Sequence, residues 1–191
     1  MLLYIHGFNS SPGSQKAVLV RDYLARHHPD EPLAIPRLET SPEAAMAQLE
    51  RLVRPALAAG EPLRMMGSSL GGYFASYLAE NCGGRAVLIN PAVRPYELLL
   101  DYLGLQENPY TGERYRVTEE HMAQLKALDT PVIRHPDRFL ALLQSGDEVL
   151  DYRQGVDKYH HCQMVLESGG DHSFVGFDRH LAGACRFLGL A

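Results

Sequence analysis

Met65-Met66-Gly67-Ser68-Ser69-Leu70-Gly71-Gly72-Tyr73-Phe74 places two adjacent serines between glycines. The stretch leaves the apolar run LRMM (63–66) and opens the helical pattern LGGYFASYLAEN (70–81). Only Ser69 has glycines two positions before and two after it; Ser68 would need them at Met66 and Leu70. The pattern G-x-S-x-G between a strand and a helix suits a nucleophilic serine on a sharp, strained turn, where neighbouring side chains would clash. The hydroxyl then stands at a helix start, whose amides favour developing negative charge. Ser68 reads as a small neighbour that lets the turn form. With 17 glycines in the chain, chance supplies roughly 0.1 such matches. A plain Gly-rich turn therefore competes until the rest of the sequence is weighed. No Gly-Lys-Ser/Thr follows, which excludes a phosphate-binding loop.

Outward from this point, short apolar runs alternate with longer amphipathic ones. The runs LLYI (2–5), LAI (33–35), LRMM (63–66), AVLI (86–89), FLALL (139–143) and QMVL (163–166) have the form of buried parallel strands. Helical patterns cover 14–28, 41–60 and 70–81, the second opening on Ser41-Pro42-Glu43 and stopping at Gly60. The expectation is one α/β domain over 1–191, with about six mostly parallel strands and helices on both faces. The long connection at about 91–138 carries PYELLLDYLG (95–104), a polar Pro/Gly turn QENPYTGERY (106–115), and TEEHMAQLKAL (118–128) with Thr118 placed to cap a helix. A connection of this length with its own helices reads as a cap or lid, against the alternative of a surface embellishment.

A serine hydroxyl is a weak nucleophile near neutral pH, so it needs a base and the base needs an orienting carboxylate. On a serine elbow of this kind both follow later in the chain, on loops after strands. Asp147 lies where FLALLQ runs into SGDEVL, and His172 where QMVLE runs into SGGDHSF. These are the carboxyl ends of strands, where ligand sites of such sheets form. Glu148, Asp151 and Asp171 are the rival acids; Asp171 adjoins His172, and neighbours on a turn rarely face each other. His160 and His161 precede the last strand, at the wrong edge of the sheet. His27, His28, His121, His135 and His180 read as surface or cap residues. No histidine pair has metal-ligand spacing beside a carboxylate, so a metal hydrolase is not expected. The oxyanion needs two backbone N–H groups. One falls to Leu70, after the serine, and the other to Phe8 in the loop HGFNSSPG, with Asn9 behind it. His6 reads as a brace for that loop.

The hydrophobic fraction of 46% and charged fraction of 21% are those of an ordinary globular chain. A net charge of -5 with scattered basic residues argues against nucleic acid as a partner. The three cysteines, Cys82, Cys162 and Cys185, form no CxxC and read as small packed residues in a reducing compartment. The opening MLLYIHG has neither a basic n-region nor an apolar run of membrane length. A cytoplasmic location is the expectation, with no cofactor and no bound metal; the oligomeric state stays open.

Several stretches together carry a family likeness: LLYIHGFNSSPGSQKA, MGSSLGGYFA, INPAVRPYELLLDYLG with ENPYTGERY, SGDEVLDYR, and GGDHSF closing on FLGLA. The chain resembles the YqiA-type esterases, small bacterial α/β-hydrolases once grouped only as an uncharacterised family, nearly end to end. The resemblance implies a reduced α/β-hydrolase fold lacking the first two strands, a cytosolic location, and hydrolysis of acyl esters or thioesters. It also implies a triad of Ser69, Asp147 and His172. One departure is Asp171, where many relatives would show Asn; it puts a second negative charge near the base, which favours its protonated form. The connecting segment offers Tyr96, Tyr102 and Tyr110, with Leu98, Leu99 and Leu103, as pocket candidates, although apolar helix faces are more often plain core. Acyl transfer or carrier thioesterase action on the same residues, and a non-catalytic binding module of this fold, are the alternatives. A carrier thioesterase would call for a basic landing patch that no run supplies, and a released site would have lost one of its three residues.

Overall fold

A computed structural model describes residues 1–190. Its centre is a sheet of six parallel strands in the order β2-β1-β3-β4-β7-β8. These are β1 (Leu2–Ile5), β2 (Leu33–Ala34), β3 (Arg64–Ser68), β4 (Arg85–Ile89), β7 (Phe139–Gln144) and β8 (Gln163–Glu167). All six expected strands form, each within about two residues of its expected bounds. The second shrinks to two residues at the sheet edge.

Alternation along each strand divides the core. Leu3, Ile5, Met65, Ala86, Leu88, Phe139 and Ala141 face one side, against α2 (Pro42–Ala58), α3 (Leu70–Cys82), α5 (Glu119–Ala127) and α6 (Tyr152–Tyr159). Leu2, Tyr4, Met66, Val87, Ile89, Leu140 and Leu142 face the other, against α1 (Gln15–His27) and α7 (Leu181–Phe187). The two-residue period of a strand makes one apolar run serve both layers, which is why these runs read as continuous rather than alternating. Ser41 caps α2 as its sequence suggests, its hydroxyl accepting from the Ala44 amide at 3.2 Å.

The segment between β4 and β7 departs from expectation. The helix expected over 95–104 is a single turn, α4 (Pro95–Leu98), running into a 3-10 turn at Leu99–Tyr102. The turn expected at 106–115 is the end of an antiparallel hairpin, β5 (Gly104–Glu107) with β6 (Arg114–Val117). Arg114-Tyr115-Arg116-Val117 alternates outward charge with inward apolar groups, a period of two that the charged composition masks. Thr118 does sit at the N-cap of α5, but its hydroxyl makes no capping bond.

The start of α3 packs against the end of β1 with no room for a side chain between them. A Cβ placed on Gly71 would overlap the carbonyls of Ile5 and His6, and one on Gly67 would overlap the Gly71 carbonyl. Both obstacles are backbone and cannot swing away. Gly71→Ala is therefore expected to cost more than about 3 kcal/mol of stability, at or beyond the upper range for overpacking. Urea denaturation, or loss of folded protein on expression, checks this.

Candidate active site

Ser69 is the hinge between β3 and α3, with φ 55° and ψ -120°, a conformation that non-glycine residues rarely adopt. Such strain persists only where surrounding bonds over-determine it. Here the Ser69 amide donates to the Ile89 carbonyl at 3.0 Å, and its carbonyl accepts from Gly72, Tyr73 and Ala92 at 3.0, 3.2 and 3.0 Å. Ser69 stands at the N-cap of α3, yet its hydroxyl makes no capping bond. It meets His172 instead, Nε2 lying 3.1 Å from Oγ.

His172 Nδ1 lies 2.8 and 3.0 Å from the two carboxylate oxygens of Asp147. The Asp147 side chain is only 2% exposed, and Oδ1 also accepts from the amides of Val149 and Leu150. A buried carboxylate with this many donors is fixed in orientation, and its bond to Nδ1 selects the His172 tautomer with the proton on that nitrogen. Nε2 is left with its lone pair toward Ser69. The structure thus brings together the three residues singled out from sequence, each at the carboxyl end of its own strand. Glu148 lies elsewhere, accepting from the His172 backbone amide at 3.0 Å. Asp151 caps α6, and Asp171 turns one oxygen into a buried position without a hydrogen-bond partner.

The loop after β1 lies against the serine. A Cβ on Gly7 would come within 3.2 Å of Ser69 Cβ and 3.7 Å of its Oγ. The amides of Phe8 and Leu70 donate to no acceptor among the described residues. His6 is 5% exposed and ties this loop to its neighbour. Its Nδ1 lies 3.0 Å from the Gly7 carbonyl, and its Nε2 accepts from the Leu38 amide at 3.3 Å. The hairpin of β5 and β6 fastens the same loop from outside. Tyr115 Oη donates to Asn9 Oδ1 at 2.6 Å, and Asn108 Nδ2 donates to the Ser10 carbonyl at 2.8 Å. The Tyr102 and Tyr115 rings pack edge-on against Phe8.

Two cavities meet at Ser69 and His172. One, of about 220 Å³, is apolar and lined by Ala92, Pro95, Leu98, Leu99 and Tyr102. The other, of about 230 Å³, is polar and takes in Tyr110. Tyr96 is not brought to either: it packs against the core with its hydroxyl donating to Asp129 at 3.0 Å. Leu103 lines neither cavity and stays 40% exposed.

Two buried amides that sequence reasoning missed hold the loop of His172. Gln144, last in β7, donates to Glu167 and to the Val175 carbonyl, and accepts from the amides of Asp171 and Val175. Asn90, just after β4, donates to the carbonyls of Asp171 and His172 and accepts from the Gln144 amide. Both are 2% exposed. No local pattern announces their role: Asn90 adopts φ 39°, a turn position that suits Asn on its own account, and Gln144 merely ends an apolar run.

The model of an uncharacterised protein family, UPF0227, matches residues 1–189. The chain belongs to that family. The UPF0227 protein YcfP of Escherichia coli O9:H4 (strain HS) is 29% identical over 185 residues, 95% of this chain and 94% of that protein. The YqiA-type proteins belong to the same family, so the resemblance seen in the sequence holds. Among solved structures, a putative hydrolase from Agrobacterium vitis S4 superposes with a TM-score of 0.73 at 17% identity, covering 98% of this chain and 87% of that one. Est1E from Butyrivibrio proteoclasticus gives 0.68 at 16%, covering 97% and 85%. A monoacylglycerol lipase from Paleococcus ferrophilus gives 0.67 at 14%, covering 100% and 94%. At such identities the likeness establishes the fold, a reduced α/β-hydrolase. No helix among the described residues is long and apolar enough to cross a membrane.

The supports of the site lead to two expectations. Asn90→Ala removes two donors from the His172 loop, and a misplacement near 1 Å costs on the order of 10²-fold in reactivity. The rate of Ser69 modification by a fluorophosphonate should fall by about that factor while near-UV circular dichroism keeps its native form. Burial lowers the pKa of His6, opposed by its bond to Gly7. The unfolded chain therefore takes up this proton first, below about pH 6.5, and stability drains as pH falls through that region. His6→Gln should flatten the slope of stability between pH 7 and 5, measured by urea denaturation.

Proposed function

We propose that the protein is a serine hydrolase acting on carboxylic acyl esters or thioesters through an acyl-enzyme. The observation that carries this is the unbroken relay from buried Asp147 through His172 to the strained Ser69, at 2.8 and 3.1 Å. His172 Nε2 takes the hydroxyl proton as Ser69 Oγ attacks the acyl carbonyl, and Asp147 stabilises the imidazolium that forms. The amides of Leu70 and Phe8 receive the oxyanion; each such donor is worth about 2.7–4 kcal/mol in comparable sites. Collapse breaks the bond to the alcohol or thiol, which leaves with the proton from His172. Water, deprotonated by the same nitrogen, then releases the acid and restores the serine.

The segment 91–138 acts as a cap in this reading. Leu98, Leu99 and Tyr102 offer an apolar wall for the acyl chain, and Tyr115 and Asn108 steady the oxyanion loop. The relatives by fold include an esterase domain and a lipase by name, which agrees with ester chemistry on this scaffold. No step calls for a cofactor or a metal ion.

Ser69→Ala is expected to abolish labelling by a fluorophosphonate and to lower the turnover of short 4-nitrophenyl esters more than about 10⁴-fold. Ser68→Ala should still take the label, with peptide mass spectrometry placing it on Ser69. Label retained in Ser69→Ala would overturn the assignment. Failure of the wild-type protein to react at all would favour a non-catalytic binding module.

A further inference from the structure

The polar cavity beside Ser69 has a composition that the proposed hydrolysis does not need. It is bounded by the start of α1, the loop after β1 and the loop of His172. Lys16, in the first turn of α1, reaches into it and donates to the Ser173 carbonyl at 2.9 Å. An ammonium has three N–H groups, so two remain for a ligand. Lys16 forms no ion pair among the described residues. Burial pulls its pKa down, and the carboxylates of Asp171 and Asp147 oppose that from a distance. A half-buried, unpaired ammonium is a costly group for a fold to keep.

Two further groups face the same space. Tyr4 is 1% exposed and Ser68 is 5% exposed, yet both line this cavity. Neither hydroxyl makes a hydrogen bond among the described residues, so both are open to this space. Each hydroxyl carries one O–H, so each can donate to a group held there. Burial raises the Tyr4 pKa and keeps its phenol protonated, so it stays a donor. The first turn of α1 carries no acidic residue, and its amides add partial positive charge at the same end. Ammonium, free O–H and helix start converge on one space, an arrangement that fits an oxyanion.

We infer that this cavity is a leaving-group subsite for alcohols bearing a carboxylate or phosphate, with Lys16 as its principal contact and Tyr4 and Ser68 as supporting donors. The inference rests on the esterase reading above. The two cavities share Phe8, Asn9, Ser69 and His172, so a substrate lies across the serine with one end in each. The acyl chain occupies the apolar one, where it stays held through the second half of the reaction. The charged alcohol departs from the polar one into water, which solvates it well.

The test compares matched pairs of esters. Butyryl glycolate is set against butyryl glycolamide, and the butyrate of 2-hydroxyethyl phosphate against that of its neutral dimethyl phosphotriester. For each pair the ratio of kcat/KM, anionic over neutral, is measured in the wild type, Lys16→Gln and Lys16→Arg. Lys16 also touches the residue after His172, so its loss can slow both members of a pair; only a charge contact moves the ratio. The ratio should fall about tenfold in Lys16→Gln, the size of one charge-assisted hydrogen bond. It should be largely kept in Lys16→Arg, and should decline with added salt in the wild type. The pair showing the larger fall assigns carboxylate or phosphate. An unchanged ratio in Lys16→Gln overturns the subsite while leaving the esterase reading intact. A ratio that responds instead for monoethyl succinate against its neutral amide overturns the orientation, since the charge then lies on the acyl side. Wild-type protein that hydrolyses none of these esters overturns the esterase reading and the subsite with it.

Discussion

Everything in this molecule is arranged around the contact between the first turn of α3 and the end of β1. Gly71 rests directly on the Ile5 and His6 carbonyls, and that closeness lets the chain leave β3, turn through Ser69 at positive φ, and enter the helix. A helix seated any further from the sheet would let the backbone relax, and the hydroxyl would swing back to cap its own helix. Neighbouring β1, β3 and β4 each lend a hydrogen bond or a contact to the turn. The central strands therefore carry the greatest geometric demand, and they are also the most deeply buried.

His172 is under a different constraint. It is carried on the loop after β8, an edge strand with hydrogen bonds from one side only and a half-exposed face. Edge pairing cannot by itself fix a side chain to a few tenths of an ångström. Asn90 and Gln144 supply the missing rigidity from the two strands between those that carry Ser69 and His172, reaching across to the backbone of the His172 loop. Buried amides with both ends satisfied serve well there, because an unpaired one would be heavily penalised.

Much of this was legible from residue order. The six strands announced themselves because burial on both faces demands unbroken apolar runs, and Ser69, Asp147 and His172 stood out because each follows such a run. The hairpin at 104–117 was hidden, since its charged outward residues outweigh Tyr115 and Val117. Tyr96 looked like a pocket residue, but its phenol is taken up by Asp129, a partner 33 residues away that no local pattern reveals. Asn90, Gln144 and Lys16 were missed for the same reason. Their meaning lies in which distant backbone or cavity they face, and only the packing of strands supplies that.

The fastening of the hairpin to the loop after β1 has a mechanical consequence. Tyr115 and Asn108 grip Asn9 and Ser10, the residues next to Phe8. Swinging the hairpin outward to widen the entrance would drag that loop with it and shift the Phe8 amide away from Ser69. The width of the entrance and the position of the Phe8 amide thus share a single degree of freedom, a door hinged on the pin that also holds the loop.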